Sequence, residues 1–403
     1  MTNLWLNPAD VPSFPTDWRV MPTEEASIQL PVGLRYDART VSPVGAIPVV
    51  DQSQGGFLGF HNDPPGVVVT QDHPVVTFAN HTCALRLFRE PFSCIQNVFP
   101  KIGRDGICDT TFFYYASQGR VTLTDYKGHH PLFRRALIPI PPLSIQRRIA
   151  AILSAYDDLI DNHRRRIRLL EEMARRLYRE WFVHFRYPGH ESVPLVCGEQ
   201  GESPNGWQWQ SLDDLAQVNA NQLSERGLPP NIYYIDIASV SPGQIDTISE
   251  IPANDAPGRA RRVVADGDIL WSCVRPNRRS YAVVLQPDKH TIASTGFAVL
   301  SAKTVPWTYL YASVTTEAFV GYLSGRAQGA AYPAVKAADF QNATILHPDD
   351  AVLSRFHEET EPLHRLAENI RRQITNLRRT RDLLLPRLMS GRLSVAAAEA
   401  AVP

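Results

Sequence analysis

The sequence lacks the patterns that mark a metal site, a disulfide scaffold or a membrane span. Its five cysteines are scattered, with no CxxC pair and no histidine at zinc-finger spacing, which argues against both a metal knuckle and a disulfide framework. No window approaches 18 uninterrupted apolar residues, and the N-terminus has no basic region followed by an apolar run. We therefore expect a cytoplasmic chain with reduced, mostly buried thiols.

Motifs that carry enzyme chemistry are also missing. The sequence has no Asn-Pro-Pro-aromatic tetrapeptide of the adenine methyltransferase kind, no Gly-x-Gly loop after a strand, no GxxxxGKS/T loop and no HExxH helix. No residue is thereby nominated as a catalytic base or nucleophile. We expect a protein that is not an enzyme on its own.

Excess charge of either sign is absent as well. The 41 basic and 41 acidic residues give zero net charge with histidine neutral, which argues against a protein that coats nucleic acid by bulk attraction. Any nucleic-acid binding must come from local patches. Lysine is scarce, with 5 residues against 36 arginines; arginine suits bidentate contacts to phosphate and guanine, but a GC-rich genome produces the same bias and is the cause we favour.

The chain is long enough for several domains and alternates between two textures. Its 403 residues allow two to four domains, each with its own core. Short β-branched and aromatic runs such as IYYIDIASV, punctuated by Pro, Gly, Asn and Asp, predict strands of mixed α/β domains. The predicted order is a globular segment at 1–140, a helix at 141–188, a second globular segment at 189–347, a second helix at 348–395 and a flexible tail at 396–403.

The helical segments repeat each other with an offset of 207 residues. Phe133 aligns with Phe340 and Pro141 with Pro348, and the register does not slip across some fifty residues. Apolar residues recur every seven positions in each copy, which predicts two helices of about 40 residues, or about 60 Å, that pair as a coiled coil. His163 is expected to be a packed core histidine rather than a ligand. The predicted packing positions are Ile149, Tyr156, His163, Leu170 and Leu177 in the first helix, and Phe356, Leu363, Ile370, Leu377 and Leu384 in the second.

Prolines and glycines predict where these helices begin and end. Proline tolerates a strand end or a first helical turn but not a helix interior. Pro141 and Pro348 accordingly precede the helices. Pro188 with Gly189 is expected to stop the first helix, and Pro386 with Gly391 the second.

Several of these stretches resemble one known family. PPLSIQRRIAAILSAYDD and the ending LYREWF, within 141–182, resemble the central conserved region of the specificity subunit of type I restriction-modification enzymes. ITNLRRTRDLLLPRLMSGRLSV resembles its C-terminal conserved region, and GDILWSCVRPN and STGFAVL resemble parts of a target recognition domain. The second copy departs from the pattern at Asp349, Asp350 and Leu353, and the first 30 residues do not match cleanly.

The resemblance implies an architecture and a set of partners. The fold class would be α/β (α+β): two mixed α/β target recognition domains separated by two long helices in an antiparallel coiled coil, with an internal pseudo-two-fold repeat. Each domain would read half of a bipartite double-stranded DNA sequence from the major groove. Two modification subunits would methylate adenine with S-adenosylmethionine, and restriction subunits would cut DNA with ATP and Mg²⁺, so this chain would hold no cofactor or metal. A coiled-coil scaffold that binds proteins, or a specificity subunit of a related methyltransferase-nuclease system, remains an alternative.

Polar and basic loops in the globular segments are the candidate DNA contacts. Arginine can pair with guanine O6 and N7, and asparagine with adenine N6 and N7, and small residues in GAAYPAVK would permit close approach of the backbone. A solvated loop or a plain hairpin turn explains the same residues. The adjacent histidines in YKGHHP do not make a convincing zinc site. The candidates are Gln52, Ser53, Gln54, Lys101, Arg104, Lys127 and His129 in the first segment, and Arg259, Arg261, Arg275, Asn277, Arg278, Arg279, Tyr332 and Lys336 in the second.

Overall fold

The computed structural model describes residues 14–123, 128–224, 227–329 and 331–399. The chain divides into two compact units: unit 1 comprises Met1–His163 with Gln373–Pro403, and unit 2 comprises Arg164–Arg372. Within the described ranges, no helix is both long and apolar enough to cross a membrane.

Unit 1 begins with strands and short helices and leads into the first long helix. The long helix, α4, continues from unit 1 into unit 2. In chain order the elements are β1 (Arg19–Pro22), α1 (Thr23–Ala26), β2 (Ser27–Gln29), β3 (Ile47–Val50), β4 (Gly59–His61), β5 (Val75–Ala79), β6 (Leu85–Phe88), β7 (Ser93–Cys94), β8 (Val98–Gly103), α2 (Thr110–Ser117), α3 (His130–Arg135), β9 (Leu137–Ile140) and α4 (Leu143–Tyr178).

Unit 2 follows the same style and leads into the second long helix, α9, which ends in unit 1. Its elements, with the closing helix of the chain, are β10 (Leu195–Gly198), β11 (Gly201–Pro204), β12 (Gln208–Ser211), α5 (Leu212–Leu215), β13 (Ala216–Val218), β14 (Asn231–Ile235), β15 (Val240–Ser241), β16 (Gln244–Ile245), β17 (Ser249–Pro252), β18 (Ala260–Val263), β19 (Ile269–Ser272), β20 (Tyr281–Val283), β21 (Thr291–Ser294), β22 (Phe297–Ala302), α6 (Trp307–Val314), α7 (Glu317–Arg326), α8 (Ala337–Gln341), β23 (Thr344–His347), α9 (Asp350–Met389) and α10 (Val395–Glu399).

The two units share one sheet topology. Unit 1 has an antiparallel sheet in the order β2-β8-β5-β6, and unit 2 has the matching order β13-β22-β19-β20. In unit 1 a parallel pair, β3 with β7, lies in a second sheet, and β14 with β21 is its counterpart in unit 2. The strand before each long helix pairs with a strand near the start of its globular segment, β9 with β1 and β23 with β12. The internal repeat therefore extends to the fold of the globular segments, whose sequences align poorly.

In unit 1 the long helices pack against each other in opposite directions. Arg148 of α4 pairs with Glu399 of α10 at 2.6 Å, and Asp157, further along α4, pairs with Arg381 of α9. The partner's number falls as the number along α4 rises, so the elements run antiparallel. Ile149 and other α4 residues share one hydrophobic cluster with α2, α3 and the end of α9.

In unit 2 the remaining halves of the two helices also pack antiparallel. Glu171 of α4 pairs with Arg371 of α9, whereas the ring of Trp181 lies 5.9 Å from the ring of Phe356, nearer the start of α9. Beyond Tyr178 the helix continues as a π-helical turn, Arg179–Val183, which carries Trp181 and Phe182 into the core of unit 2. The LYREWF ending is therefore an aromatic anchor for this part of the helix pair.

The seven-residue series lies along the buried stripe of each helix. A second row of buried residues lies four positions after members of this series. Ile160 and Ile167, four residues after Tyr156 and His163, are buried, whereas Met173, three residues after Leu170, is 55% exposed. Of the ten predicted packing positions, the buried ones are Ile149, Tyr156, His163, Phe356 and Ile370, and the half-buried ones are Leu170, Leu177, Leu363, Leu377 and Leu384.

Of the two residues expected to stop the second helix, Gly391 does so and Pro386 does not. Helix α9 does not stop at Pro386 but continues to Met389. Gly391, with φ of +69°, then ends it, and the backbone N–H of Leu393 reaches the carbonyl of Arg387, a glycine-terminated helix end. Part of the segment expected to be a flexible tail forms α10, in which Ala398 is buried.

The side chain of Gln146 joins the start of α4 to other segments of unit 1 through hydrogen bonds. The side chain is fully buried; its Oε1 accepts from the backbone N–H of Asp109 at 2.9 Å, and its Nε2 donates to the carbonyls of Ile107 and Pro141. All three partners are backbone groups, and together they satisfy the polar atoms of a buried amide. The position aligned with it in the second copy is Leu353, which is buried in an apolar cluster.

Candidate nucleic-acid interface

The β19–β20 hairpin of unit 2 carries the arginine-rich loop VRPNRR. Arg275 and Arg279 both have left-handed backbones, with φ of +51° and +58°, and a 3-10 turn, Pro276–Arg278, lies between them. Non-glycine residues adopt this conformation only where the surrounding structure holds them in it. The Arg279 guanidinium pairs with Glu317 of α7 at 2.6 Å. The loop is thus fixed against the body of unit 2.

A second predicted segment, GAAYPAVK, lies directly beside this loop. The N–H of Arg275 donates to the carbonyl of Pro333 at 2.7 Å, and the N–H of Val335 donates to Cys273 at 2.9 Å. The guanidinium of Arg275 lies 4.8 Å from the ring centre of Tyr332, a residue that is 72% exposed. Two segments that are about 55 residues apart in the sequence therefore form one surface.

Arg259 lies on the same rim of unit 2. Its backbone carbonyl accepts from Thr295, and the adjacent Gly296 accepts from Cys273 in the arginine-rich loop. The Arg259 guanidinium is exposed but bonded, at 2.5 Å, to the carboxylate of Asp236. We call Arg259, Arg275, Asn277, Arg278, Tyr332 and Lys336 the unit 2 loop surface.

Arg261 is not on this surface. The residue is buried in strand β18 and donates to the carbonyl of Ala260 at 2.8 Å, which corrects its prediction as a DNA contact. The pairing of β18 with β21 shifts register between Ala260 and Arg262, so Arg261 lies at a β-bulge, and it is buried together with Ala260. Arg279, already paired with Glu317, supports the loop.

The corresponding region of unit 1 presents different chemistry. The Oε1 of Gln52 accepts from the backbone N–H of His81, and the Thr82 hydroxyl donates to the carbonyl of Gln52. Ser53 donates to Asp51 at 2.6 Å. Gln54 is exposed at the tip, with glycines beside it. Gln52 and Ser53 therefore shape the turn, and Gln54 is the side chain it presents to solvent.

The connection between loops is the same in both units. In unit 1 the β5–β6 loop holds the segment before α3, because Asn80 accepts from the backbone and ring nitrogens of His129 and from the N–H of His130. This contact corresponds to the one between Arg275 and Pro333 in unit 2. His129 is buried and serves this connection, which corrects its prediction as a DNA contact.

Lys101 and Arg104, also predicted as DNA contacts in this segment, have structural roles as well. Lys101 is a strand residue of β8 rather than a loop residue, and only 4% of it is exposed. Burial, and then the charge of Arg134, lowers the pKa of Lys101 to about 8. Arg104 is exposed, but its Nε donates to the carbonyl of Glu25 at 2.7 Å, at the end of α1. Lys127 lies outside the described residues.

The histidine pair does not form a metal site. The ring of His129 faces the carbonyl of Asn80, whereas the ring of His130 stacks on Phe99 at 3.7 Å. Burial, and then the charges of Lys101 and Arg134, lowers the pKa of His130 to about 4. No group of three or more His, Cys, Asp or Glu residues suited to a metal ion is present among the described residues.

One cluster in unit 1 resembles a hydrolase triad in composition only. His61 contacts Ser93 through Nε2 at 2.9 Å, and its Nδ1 accepts from the backbone N–H of Asp63 at 3.1 Å. An Nδ1 that accepts places the ring proton on Nε2, so the ring donates to Ser93 and cannot take its proton as a triad base would. Ser93 also accepts from Gly66 and is fully buried. The cluster joins loops of unit 1.

Comparison with known proteins relates these features to one family. Residues 132–172 match the family model of the type I restriction modification DNA specificity domain. The MjaIX specificity subunit of Methanocaldococcus jannaschii is 25% identical over 319 residues, 74% of this chain and 72% of that protein. The MjaVIII specificity subunit of the same organism is 22% identical, over 66% of this chain and 64% of that protein. These matches relate the chain to the type I specificity subunits.

The fold of this chain is also that of a solved structure. A crystal structure of the specificity subunit from M. genitalium superposes with a TM-score of 0.61 over 96% of this chain and 98% of that chain, at 13% identity. The prediction of a non-catalytic DNA-recognition subunit is confirmed by these relationships. The matched residues 132–172 cover α3, β9 and the first part of α4, so the loops with the DNA-contact candidates lie outside the family model.

Proposed function

We propose that this specificity subunit recognises a bipartite, asymmetric sequence in double-stranded DNA, one half with the globular part of each unit. The observation that carries the proposal is the common sheet topology of the units combined with unlike loops at the corresponding rim. One rim presents Arg278, Asn277 and Tyr332, and the other presents Gln54. Base edges in the major groove are distinguished by the donor and acceptor pattern of such side chains.

A single chain with two unlike readers accounts for an asymmetric target. A symmetric homodimer presents the same residues twice and reads a palindrome. Here the repeat lies within one chain, and its halves have the same frame and different loop residues. The two half-sites are therefore expected to differ in sequence.

The long helices are proposed to bind two modification subunits, which are adenine methyltransferases, and with them restriction subunits that act as ATP-dependent endonucleases. Leu169 and Met173 support this assignment, because they are 65% and 55% exposed and lie one turn apart on α4. S-adenosylmethionine, ATP and Mg²⁺ are assigned to the partners. The complex is proposed to act in the cytoplasm, on the DNA of the host.

The alternative function is a scaffold whose globular parts bind proteins, and the exposed apolar residues on α4 suit it equally. Zero net charge is compatible with both functions. A specificity subunit of a related methyltransferase-nuclease system is a further alternative. It differs only in the identity of the partners.

Methylated adenines mapped across a host genome, with and without this chain, test the proposal. We expect one bipartite, asymmetric motif to be methylated only when the chain and its modification subunits are both present. A gel shift with a duplex that carries this motif, at moderate salt, should show preferred binding by the assembled complex. Methylation that does not depend on the chain, or a complex with equal affinity for all sequences, would favour the scaffold.

A further inference from the structure

We propose that Asn277 and Arg278 are the base-reading pair of unit 2, and that they recognise adjacent purines in the major groove, Arg278 a guanine and Asn277 an adenine. This inference rests on the proposed function, since it assigns the half-site chemistry of one of the two readers. Arginine forms two hydrogen bonds to O6 and N7 of guanine, and asparagine forms two to N6 and N7 of adenine. Neighbouring residues on a rigid turn suit neighbouring base pairs.

The first argument is the rigidity of the turn. The N–H of Arg278 donates to the carbonyl of Arg275 at 2.8 Å, and the N–H of Arg279 donates to Pro276 at 3.0 Å. Pro276 is buried. Below the turn, the N–H of Ser272 donates to Ser280 at 2.9 Å. A loop held in its bound shape loses little conformational entropy on binding, and its side chains meet base edges in one register.

The second argument is that the two arginines that flank the pair already bind other groups of unit 2. Arg275 donates from its guanidinium to the carbonyl of Ala331 at 3.0 Å and stacks on Tyr332, and Arg279 pairs with Glu317. Both side chains are engaged within unit 2. Asn277 and Arg278 between them are exposed, and their side chains form no hydrogen bond or ion pair within the described part of the chain.

The third argument is the chemistry around the pair. Lys336 is exposed at the start of α8 on the neighbouring segment. Lysine offers a flexible point charge that suits a phosphate, whereas the planar fork of arginine suits guanine. Base-reading groups are thus flanked by groups that suit the DNA backbone, and Arg278 is assigned to the bases and Lys336 to a phosphate.

The corresponding hairpin of unit 1, which lies within the described residues, has no counterpart of the pair. Its hairpin loop between β5 and β6 is only five residues long, from Asn80 to Ala84, and Asn80 and Thr82 are used in contacts with neighbouring loops. A change at Arg278 should therefore alter recognition in one half-site and leave the other half unchanged.

The test is the methylation motif of the assembled complex with Arg278→Ala, Arg278→Lys or Asn277→Ala in the full chain. We expect each to relax or change preference at one base position of the same half-site, by about 5- to 150-fold in relative methylation rate. Arg278→Lys keeps the charge but replaces the planar fork by a flexible point charge, so it should weaken the guanine preference. The control is Lys289→Ala, which removes an exposed cation before β21, at the opposite end of that strand from Thr295; it should leave the motif unchanged.

The outcomes separate this inference from the proposed function. A wild-type complex that methylates no bipartite motif would refute the proposed function. A wild-type bipartite motif that is kept by all three variants would refute only the reading pair. Uniform weakening of all sequences by Arg278→Ala, with wild-type behaviour of Arg278→Lys, would also overturn the inference, because it would place Arg278 on a phosphate.

Discussion

The ammonium group of Lys101 lies among residues of unit 1 that penalise its charge. Only 4% of the residue is exposed, and burial together with nearby Arg134 lowers the pKa of Lys101 to about 8, against a weaker opposing effect of Glu24. An unfolded chain would hold this proton up to the ordinary lysine pKa of about 10.5. At neutral pH the folded protein therefore keeps a charged amine in surroundings that favour the neutral form, which lowers the stability of the folded state.

We expect Lys101→Met to stabilise the protein near pH 7, by about 3 kcal/mol at 1.36 kcal/mol per pKa unit. Below pH 8 the amine is charged in both folded and unfolded states, so the full penalty is present. Between pH 8 and about 10.5 only the unfolded state keeps the proton, so wild-type stability gains on the variant as the pH rises. Urea midpoints of both proteins at pH 7 and pH 10 measure the difference, which should shrink at pH 10.

The same variant distinguishes a buried lysine from a DNA contact. Motif methylation by the complex should be unchanged by Lys101→Met, because the side chain does not reach the surface. If Lys101→Met left the stability unchanged but abolished methylation, Lys101 would instead be a DNA contact.

The sequence indicated which loops carry polar and basic residues better than it indicated which of those side chains are exposed. Arg275 and Tyr332 were predicted as separate candidates, and backbone bonds between distant segments bring them together. Lys101 and His129 were predicted as basic loop residues, although both are buried. The sequence alone could not distinguish these cases, because burial of a short basic stretch depends on strand pairing with segments far away in the chain.

At the scale of elements, the long helices were the most predictable part of the fold. The strict seven-residue spacing and the 207-residue repeat identify both helices, since periodicity is a local signal. Pro386 lacks one backbone N–H and crowds the preceding turn, but it lies in the last turn of α9. The helix therefore continues past it to Met389. Strand partners such as β1 with β9 could not be read from the sequence, because they join residues about 120 positions apart.

Two adjacent carboxylates on α4 allow a matched test of what locks the helices together in unit 1. Asp157 is half-buried and accepts from the Tyr115 hydroxyl at 2.6 Å and from Arg381 of α9. Asp158 is exposed and pairs with Arg89 at 3.0 Å. The first carboxylate joins α2, α4 and α9, whereas the second lies at the surface.

We expect Asp157→Ala to destabilise the protein by about 1–3 kcal/mol, because it leaves the Arg381 charge and the Tyr115 hydroxyl without their partner. Asp158→Ala should cost no more than about 1 kcal/mol, as exposed ion pairs do. Denaturant midpoints of the two variants provide the comparison. A double-mutant cycle with Arg381→Ala should return a coupling energy for Asp157 and none for Asp158. Equal losses of stability for the two alanine variants would show that the Asp157–Arg381 ion pair is no stronger than a surface pair.

At the scale of the whole molecule, two units of common topology carry different loops. The repeat is visible in the sequence only around the helices, where packing restricts the residues, and it is hidden in the globular segments, where the sheet order is kept and the loops differ. The same separation explains why family similarity indicates a class of protein, whereas the DNA sequence read under the proposed function would depend on loop residues.

Neutral net charge and internally paired arginines lead to a prediction for DNA binding by the isolated chain. Arg259 and Arg279 on the rim of unit 2 are neutralised by Asp236 and Glu317. Few cations therefore remain to displace counterions from DNA, Arg278 and Lys336 among them. Each phosphate neutralised contributes about −0.9 to the slope of log affinity against log salt concentration.

Fluorescence anisotropy with a labelled duplex, from 50 to about 200 mM salt, measures this slope. We expect weak binding by the isolated chain, with a slope of about −2 to −4, and a steeper slope with higher affinity once modification subunits are added and contribute their own phosphate contacts. Lys336→Ala should make the slope of the isolated chain shallower by about 1, and Lys289→Ala should not change it. A slope near −8 for the isolated chain would mean that its own surface supplies most of the electrostatic attraction, and that the ion pairs on the rim open when DNA binds.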